Sequence, residues 1–106
     1  MKIVWTKKAR KRFGEILEYI ELKFGKTARR SFITKTKDFT RVLYEFPEIG
    51  SLEIPEKKIR GFQLTKQTRV FYRLKNDQII LLTFFDSRQD PRKNPQYVLI
   101  IILYYM

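Results

Sequence analysis

Arginine is the side chain best suited to hold a phosphate or a carboxylate, because its planar fork presents parallel N–H donors. This sequence places Arg69 at the head of one apolar run and Arg88 just past the end of the next, in the corner Asp86-Ser87-Arg88-Gln89-Asp90. Arg60 and Arg73 alternate with apolar residues, where a long charged side chain needs a reason to sit. Lys57, Lys58, Lys66 and Lys75 surround them, and no Asp or Glu falls between Glu56 and Asp77. On this pattern Arg69 and Arg88 are expected to gather into one cationic recess that holds an anion, with Arg60 and Arg73 in the same neighbourhood. Asp86 and Asp90 are expected to salt-bridge Arg88 or cap turns rather than to form an acid–base pair. Tyr72 reads as core with its hydroxyl at the rim; stacking on a nucleic-acid base is the other use open to it.

A second group of cations, Lys7, Lys8, Arg10, Lys11 and Arg12, opens the first amphipathic stretch. Positive charge there opposes the helix macrodipole, so its placement points to an anionic or acidic partner. The whole chain carries 23 Lys and Arg against 11 Asp and Glu, a net charge of +12. Several chemistries are excluded by composition. With no cysteine there is no disulfide framework and no thiolate catalysis; with no histidine, the commonest metal ligand and the commonest neutral-pH base are gone. No metal or organic cofactor is expected.

The elements that must position these groups are legible in the periodicity. Residues 2–5 alternate weakly, as a short edge strand. Thr6 then stands at an N-cap position before an apolar stripe of helical spacing: Ala9, Phe13, Ile16, Leu17, Ile20, Phe24. Gly25 follows where a helix ends. A second stripe, Ala28, Phe32, Thr36, Phe39, Leu43, Phe46, has Thr27 as its expected N-cap and Pro47 as its stop. The short link predicts an antiparallel helical hairpin. Residues 46–56, with two prolines and a glycine, read as a loop. Period-two patterning from residue 59 predicts a meander of strands at 59–65, 68–75 and 78–85, the last two joined at Asn76-Asp77. The third strand is almost wholly apolar and is expected to be buried on both faces. Residues 95–106 form an apolar tail, uninterrupted over 97–105, that must pack on the sheet, pair with another copy or be covered by a partner.

At 106 residues and 43% hydrophobic content the chain is one domain: a short strand and helical hairpin over 1–46, a meander over 59–86, then the tail. The fold class is α+β, with the hairpin packed on a small, mainly antiparallel sheet of three or four strands. No signal peptide is visible and 97–105 is too short to span a bilayer as a helix, so a cytoplasmic protein without membrane contact is expected.

The order VWTKKA, an amphipathic helix, FGKTARRSF, FPEIG, TRVFYRL and FFDSRQDP resembles the RelE/ParE superfamily of type II toxin–antitoxin toxins, in particular the ParE-like branch of plasmid stabilisation proteins. The resemblance covers residues 3–93. It implies a cognate acidic antitoxin that wraps and neutralises the toxin, and one of two targets. RelE-like members are ribosome-dependent mRNA endonucleases; ParE-like members poison DNA gyrase. Arg69 matches the arginine before the apolar strand of the nucleases, and Arg88 the arginine after the last strand. If this chain were a metal-independent nuclease, Arg69 and Arg88 would be its catalytic residues, with Tyr72 as the further candidate. The lysine pair of those enzymes is replaced by Arg60-Gly61-Phe62-Gln63-Leu64, and the tyrosine after Arg88 by Arg92-Lys93-Asn94. Proton transfer then lacks an agent. The resemblance therefore favours a ParE-like toxin that binds a topoisomerase, ahead of an mRNA endonuclease or a non-toxic binding remnant.

Overall fold

The start of the first helix is fixed by one hydroxyl. Thr6 is extended (φ −71°, ψ 163°), and its Oγ1 accepts the N–H of Ala9 at 3.0 Å, capping an orphan helix donor. The same hydroxyl donates to the carbonyl of Leu82 at 2.9 Å, so the cap also ties the helix to the sheet. The computed structural model describes residues 1–89. In chain order these form β1 (Lys2–Trp5), α1 (Lys7–Phe24), α2 (Lys26–Glu45), β2 (Ser51–Ile54), β3 (Ile59–Gln63), β4 (Thr68–Lys75) and β5 (Gln78–Asp86), with a 3-10 turn at Pro55–Lys57.

A single residue, Gly25, separates the helices. Its φ of +94° is what a side chain would resist, and its N–H donates to the Glu21 carbonyl at 3.0 Å. The cap of α2 is therefore Gly25 and not Thr27, which lies inside the first turn. An ion pair from Arg29 to Glu21, at 3.0 Å, clamps the hinge.

The sheet has the order β1-β5-β4-β3-β2, antiparallel except for the parallel pairing of β1 with β5. The expected α+β class holds, with five strands instead of three or four. The extra strand, β2, lies inside the stretch read as a loop. Ser51 and Leu52 pair with Gly61 and Arg60, and a bulge intervenes before Ile54. Its flanking prolines hid it, and an edge strand tolerates them because one side needs no ladder. Asn76 and Asp77 turn β4 into β5 with φ of 51° and 58°, the two left-handed residues of a tight hairpin.

The helices cover one face of the sheet. Trp5, Phe13, Phe32 and Phe84 interlock there, with ring centroids 5.2–5.6 Å apart. Phe39 stacks on Phe62 at 4.6 Å. Val70, Tyr72, Ile79 and Leu81 complete this core. A second cluster, Ile54, Ile59, Phe71 and Phe85, belongs to the other face and is made of sheet residues only. Burial on both faces of β5 is thus as expected. A bulge in β5 lets it happen: Phe71 pairs with Thr83 but Tyr72 with Leu81, so Leu82 is the extra residue and the facing of later side chains shifts by one.

Candidate functional site

Arg88 leaves the end of β5 and folds back on the residue two before it. Its Nε and Nη2 donate to the two oxygens of Asp86 at 2.9 and 2.7 Å, and its backbone N–H donates to Oδ1 at 2.9 Å. Thr68, across the ladder on β4, donates its hydroxyl to Oδ2 at 2.7 Å. The Asp86 side chain is fully buried. Burial by itself would raise its pKa, but the donors from Arg88 and Thr68 hold it below the ordinary aspartate value. The same hydrogen bonds to Asp86 raise the guanidinium of Arg88 above its usual range. Asp86 therefore does what the sequence suggested, fixing Arg88 and the exit of the strand. The guanidinium also lies 5.6 Å from the ring centroids of Tyr19 and Phe24 on α1, within cation–π reach. It borders a cleft of about 440 Å³ whose floor is Ile20 and Phe32 and whose other cation is Lys35.

Arg69 is elsewhere. In β4 it shares a face with Phe71, whose ring centroid lies 5.7 Å from its guanidinium, and Phe71 belongs to the cluster away from the helices. The side chain runs across β3 to pair with Glu53 of β2, and hydrogen-bonds Ser51 at 3.1 Å and Gln63 at 3.2 Å. Gly61 makes that crossing possible: a Cβ there would stand 2.7 Å from Nη2 of Arg69 and 2.8 Å from Oε1 of Glu53. The expected single recess does not form. Arg69 and Arg88 lie on opposite faces of the sheet, each occupied by its own carboxylate.

Arg60 and Tyr72 serve the loop after α2. Arg60 donates from Nη1 to the carbonyls of Glu48 at 3.1 Å and Gly50 at 2.8 Å. Tyr72 is fully buried; its hydroxyl donates to the Pro47 carbonyl at 2.8 Å and accepts the Gly50 N–H at 2.9 Å. Burial raises its pKa, so it stays protonated as the donor that the loop requires. Core is the right reading of Tyr72, its hydroxyl is not at a rim, and no base can stack on its ring. Together the pair shape a cleft of about 770 Å³ that is apolar apart from Glu45 and Glu48, with Phe46, Ile49 and Leu74 in its wall. Arg73 faces the side of Arg69 but keeps its own company at the turn end of the sheet.

The first basic group sits where it was expected, over the opening turns of α1, with no acid in the first turn. Lys7, Arg10 and Lys11 are exposed, Arg10 reaching the Trp5 carbonyl at 3.2 Å, while Arg12 approaches Glu15 at 3.8 Å. Lys8 is half-buried. Sequence reasoning missed Glu53, Thr68 and Gly61. None of the three carried a signal: in a simple hairpin register Thr68 would face Phe85, and only the extra residue in β5 brings it opposite Asp86. Asp90, Arg92 and the tail 97–105 lie outside the described residues. Among the described residues no cluster of His, Cys, Asp and Glu could hold a metal, and no helix is long and apolar enough to cross a membrane.

Chemically, the arrangement offers a basic helix end, an apolar cleft, and two guanidiniums already paired. Comparison with known structures finds the same fold. The structure described as "Chromosomal ParDE TA system from P. aeruginosa" superposes with a TM-score of 0.67 at 19% identity, over 81% of this chain and 95% of that one. The "YoeB/ParE toxin from Agrobacterium tumefaciens" superposes at 0.58 and 17% identity, over 81% and 98% of the two chains. No curated protein sequence matches this chain. Residues 3–91 match the family described as ParE toxin of type II toxin-antitoxin system, parDE, and the chain belongs to that family.

Proposed function

We propose that this protein is a toxin that acts by binding, inhibiting a topoisomerase such as DNA gyrase in the cytoplasm, and that a cognate acidic antitoxin neutralises it. The observation that carries this reading is the separation of Arg69 from Arg88. Cleavage of a phosphodiester needs cations and a proton-transfer group converging on one phosphate. Here the two arginines face opposite ways, each neutralised by an internal carboxylate, and the intervening Tyr72 is buried in a structural role. Recognition has better support. The cations of α1 sit at a helix end that they destabilise, which is accounted for if an acidic protein covers them.

Expression of the full chain without an antitoxin tests the mechanism. Growth arrest with an SOS response and intact mRNA is the expected result. Codon-phased mRNA 5′ ends would overturn it in favour of a ribosome-dependent nuclease, and normal growth at good soluble yield would mark a non-toxic remnant. Reversing Lys7, Arg10 and Lys11 to Glu tests the partner surface. The helix should gain about 0.3–1 kcal/mol per reversal at its N-terminus, while affinity for an acidic antitoxin falls and loses its salt dependence.

A further inference from the structure

Arg60, Arg69 and Arg88 all spend their guanidiniums on partners within the fold. Arg73 does not. Its side chain makes no hydrogen bond or ion pair among the described residues, and its Nε is buried without an acceptor. A buried N–H left unmatched is costly, and native structures complete such a group with an ordered water, an ion or a ligand. Arg73 pairs in the ladder with Ile59, so the residues just before β3 lie beside the end of β4. Lys57, Lys58 and Lys75 thus meet Arg73 around one cleft of about 410 Å³ at the β4–β5 turn. Glu56 and Asp77 also face it, yet neither pairs with any of the four cations, and the cleft stays net positive. Lys58 adds a second sign of construction. It holds a left-handed φ of +56° to close the 3-10 turn, a position that suits Gly or Asn, and it brings a charge to the rim instead.

We infer that this cleft is a phosphate-binding site, with Arg73 as the anchoring fork and Lys57, Lys58 and Lys75 as neutralising charges. A lone carboxylate is the poorer match, because it brings a single negative charge and two oxygens to a cleft lined by four cations. Cations approaching from β4 and from the 3-10 turn suit a tetrahedral anion with more charge and more acceptor oxygens. The phosphate belongs to a nucleotide or to a nucleic-acid strand. This assignment is independent of the toxin's target and involves neither Arg69 nor Arg88.

The test is a titration of the full chain with inorganic pyrophosphate, followed at the side-chain Nε–Hε resonance of Arg73. A saturable shift is expected. Arg73→Met, which keeps the apolar stem, should weaken binding at least tenfold and Lys58→Asn several-fold, while Lys66→Ser, outside the cleft, leaves it unchanged. Arg73→Lys preserves charge and guards against misfolding of the methionine variant; it should also lose most affinity, since the fork is gone. Full binding by Arg73→Lys, equal weakening by Lys66→Ser, or a shift with polyglutamate but none with pyrophosphate would each overturn the site. Competition names the source: displacement of pyrophosphate by a single-stranded oligonucleotide without terminal phosphates supports a strand, and displacement by mononucleotides alone supports a nucleotide.

Discussion

Arg88 and Arg69 make the same bond, guanidinium to carboxylate, on opposite faces of one sheet, and the two bonds are built differently. Asp86 is two residues from Arg88, has no exposed side-chain surface, and takes a third side-chain donor from Thr68. Glu53 comes from another strand, keeps 25% of its side-chain surface, and meets Arg69 only because Gly61 leaves the path clear. The two arginines are about equally covered, so the difference lies in the carboxylates: Asp86 is desolvated and local and depends on its donors. Glu53 keeps contact with water, and its pair is assembled only after β2, β3 and β4 have come together. A fold can use one chemistry as a structural pin on one face and as an adjustable surface feature on the other.

The largest effect expected is therefore at Asp86. Asp86→Asn removes the charge that a partly buried Arg88 requires, and breaking such a pair costs about 3 kcal/mol. A melting temperature lower by about 12 °C or more would show it. The pH dependence gives an independent check. The folded carboxyl titrates below its usual value, so its contribution is fully present above the unfolded pKa of about 3.9 and is lost as pH falls through the folded one. The wild type should lose stability steeply below about pH 4, and Asp86→Asn should flatten that limb. The corresponding change at Glu53 should do neither.

Between the two faces stands the loop that Tyr72 and Arg60 hold. Gly50→Ala would put a Cβ 2.8 Å from the Gly61 carbonyl and 2.9 Å from the Tyr72 ring, and neither can retreat: one is backbone and the other is tethered at its hydroxyl. A cost of about 2 kcal/mol is expected by denaturant unfolding. Tyr72→Phe removes the hydroxyl alone and leaves the Gly50 N–H and the Pro47 carbonyl without their partner, at about 1–1.5 kcal/mol. Faster hydrogen exchange at Gly50 in this variant would place the loss in the loop and not in the core.

Much of this was legible beforehand because it is local. Thr6 and Gly25 bracket α1 by cap chemistry, Asn76-Asp77 announces a tight hairpin, and the tie of Asp86 to Arg88 needs only two intervening bonds of chain. What could not be read depends on parity and on long-range pairing. Arg69 faces with Phe71, and Arg88 follows a strand whose facing has been shifted once by the extra residue Leu82. A sequence does not display a bulge, so a single recess was the natural expectation and the wrong one. Glu53 was hidden for a related reason. Its strand is four residues long, bulged and followed by a proline, and it exists because β3 offers an edge.

The smallest effect sharpens the contrast most. Gly61→Ala would press on Arg69 and Glu53, but those atoms are the far ends of flexible side chains, which can swing into water. The loss of a partly exposed pair is worth about 1 kcal/mol, and replacing a strand glycine by alanine returns about 0.5 kcal/mol or more. The net change should lie within about 0.5 kcal/mol of zero. Because the side chains move apart, Glu53→Gln should cost measurably less in the Gly61→Ala background than in the wild type. A double-mutant cycle reads that difference directly. Strict additivity would mean that the two side chains do not depend on the path over Gly61, and the distinction drawn between a pinned arginine and an adjustable one would then fail at its weaker end.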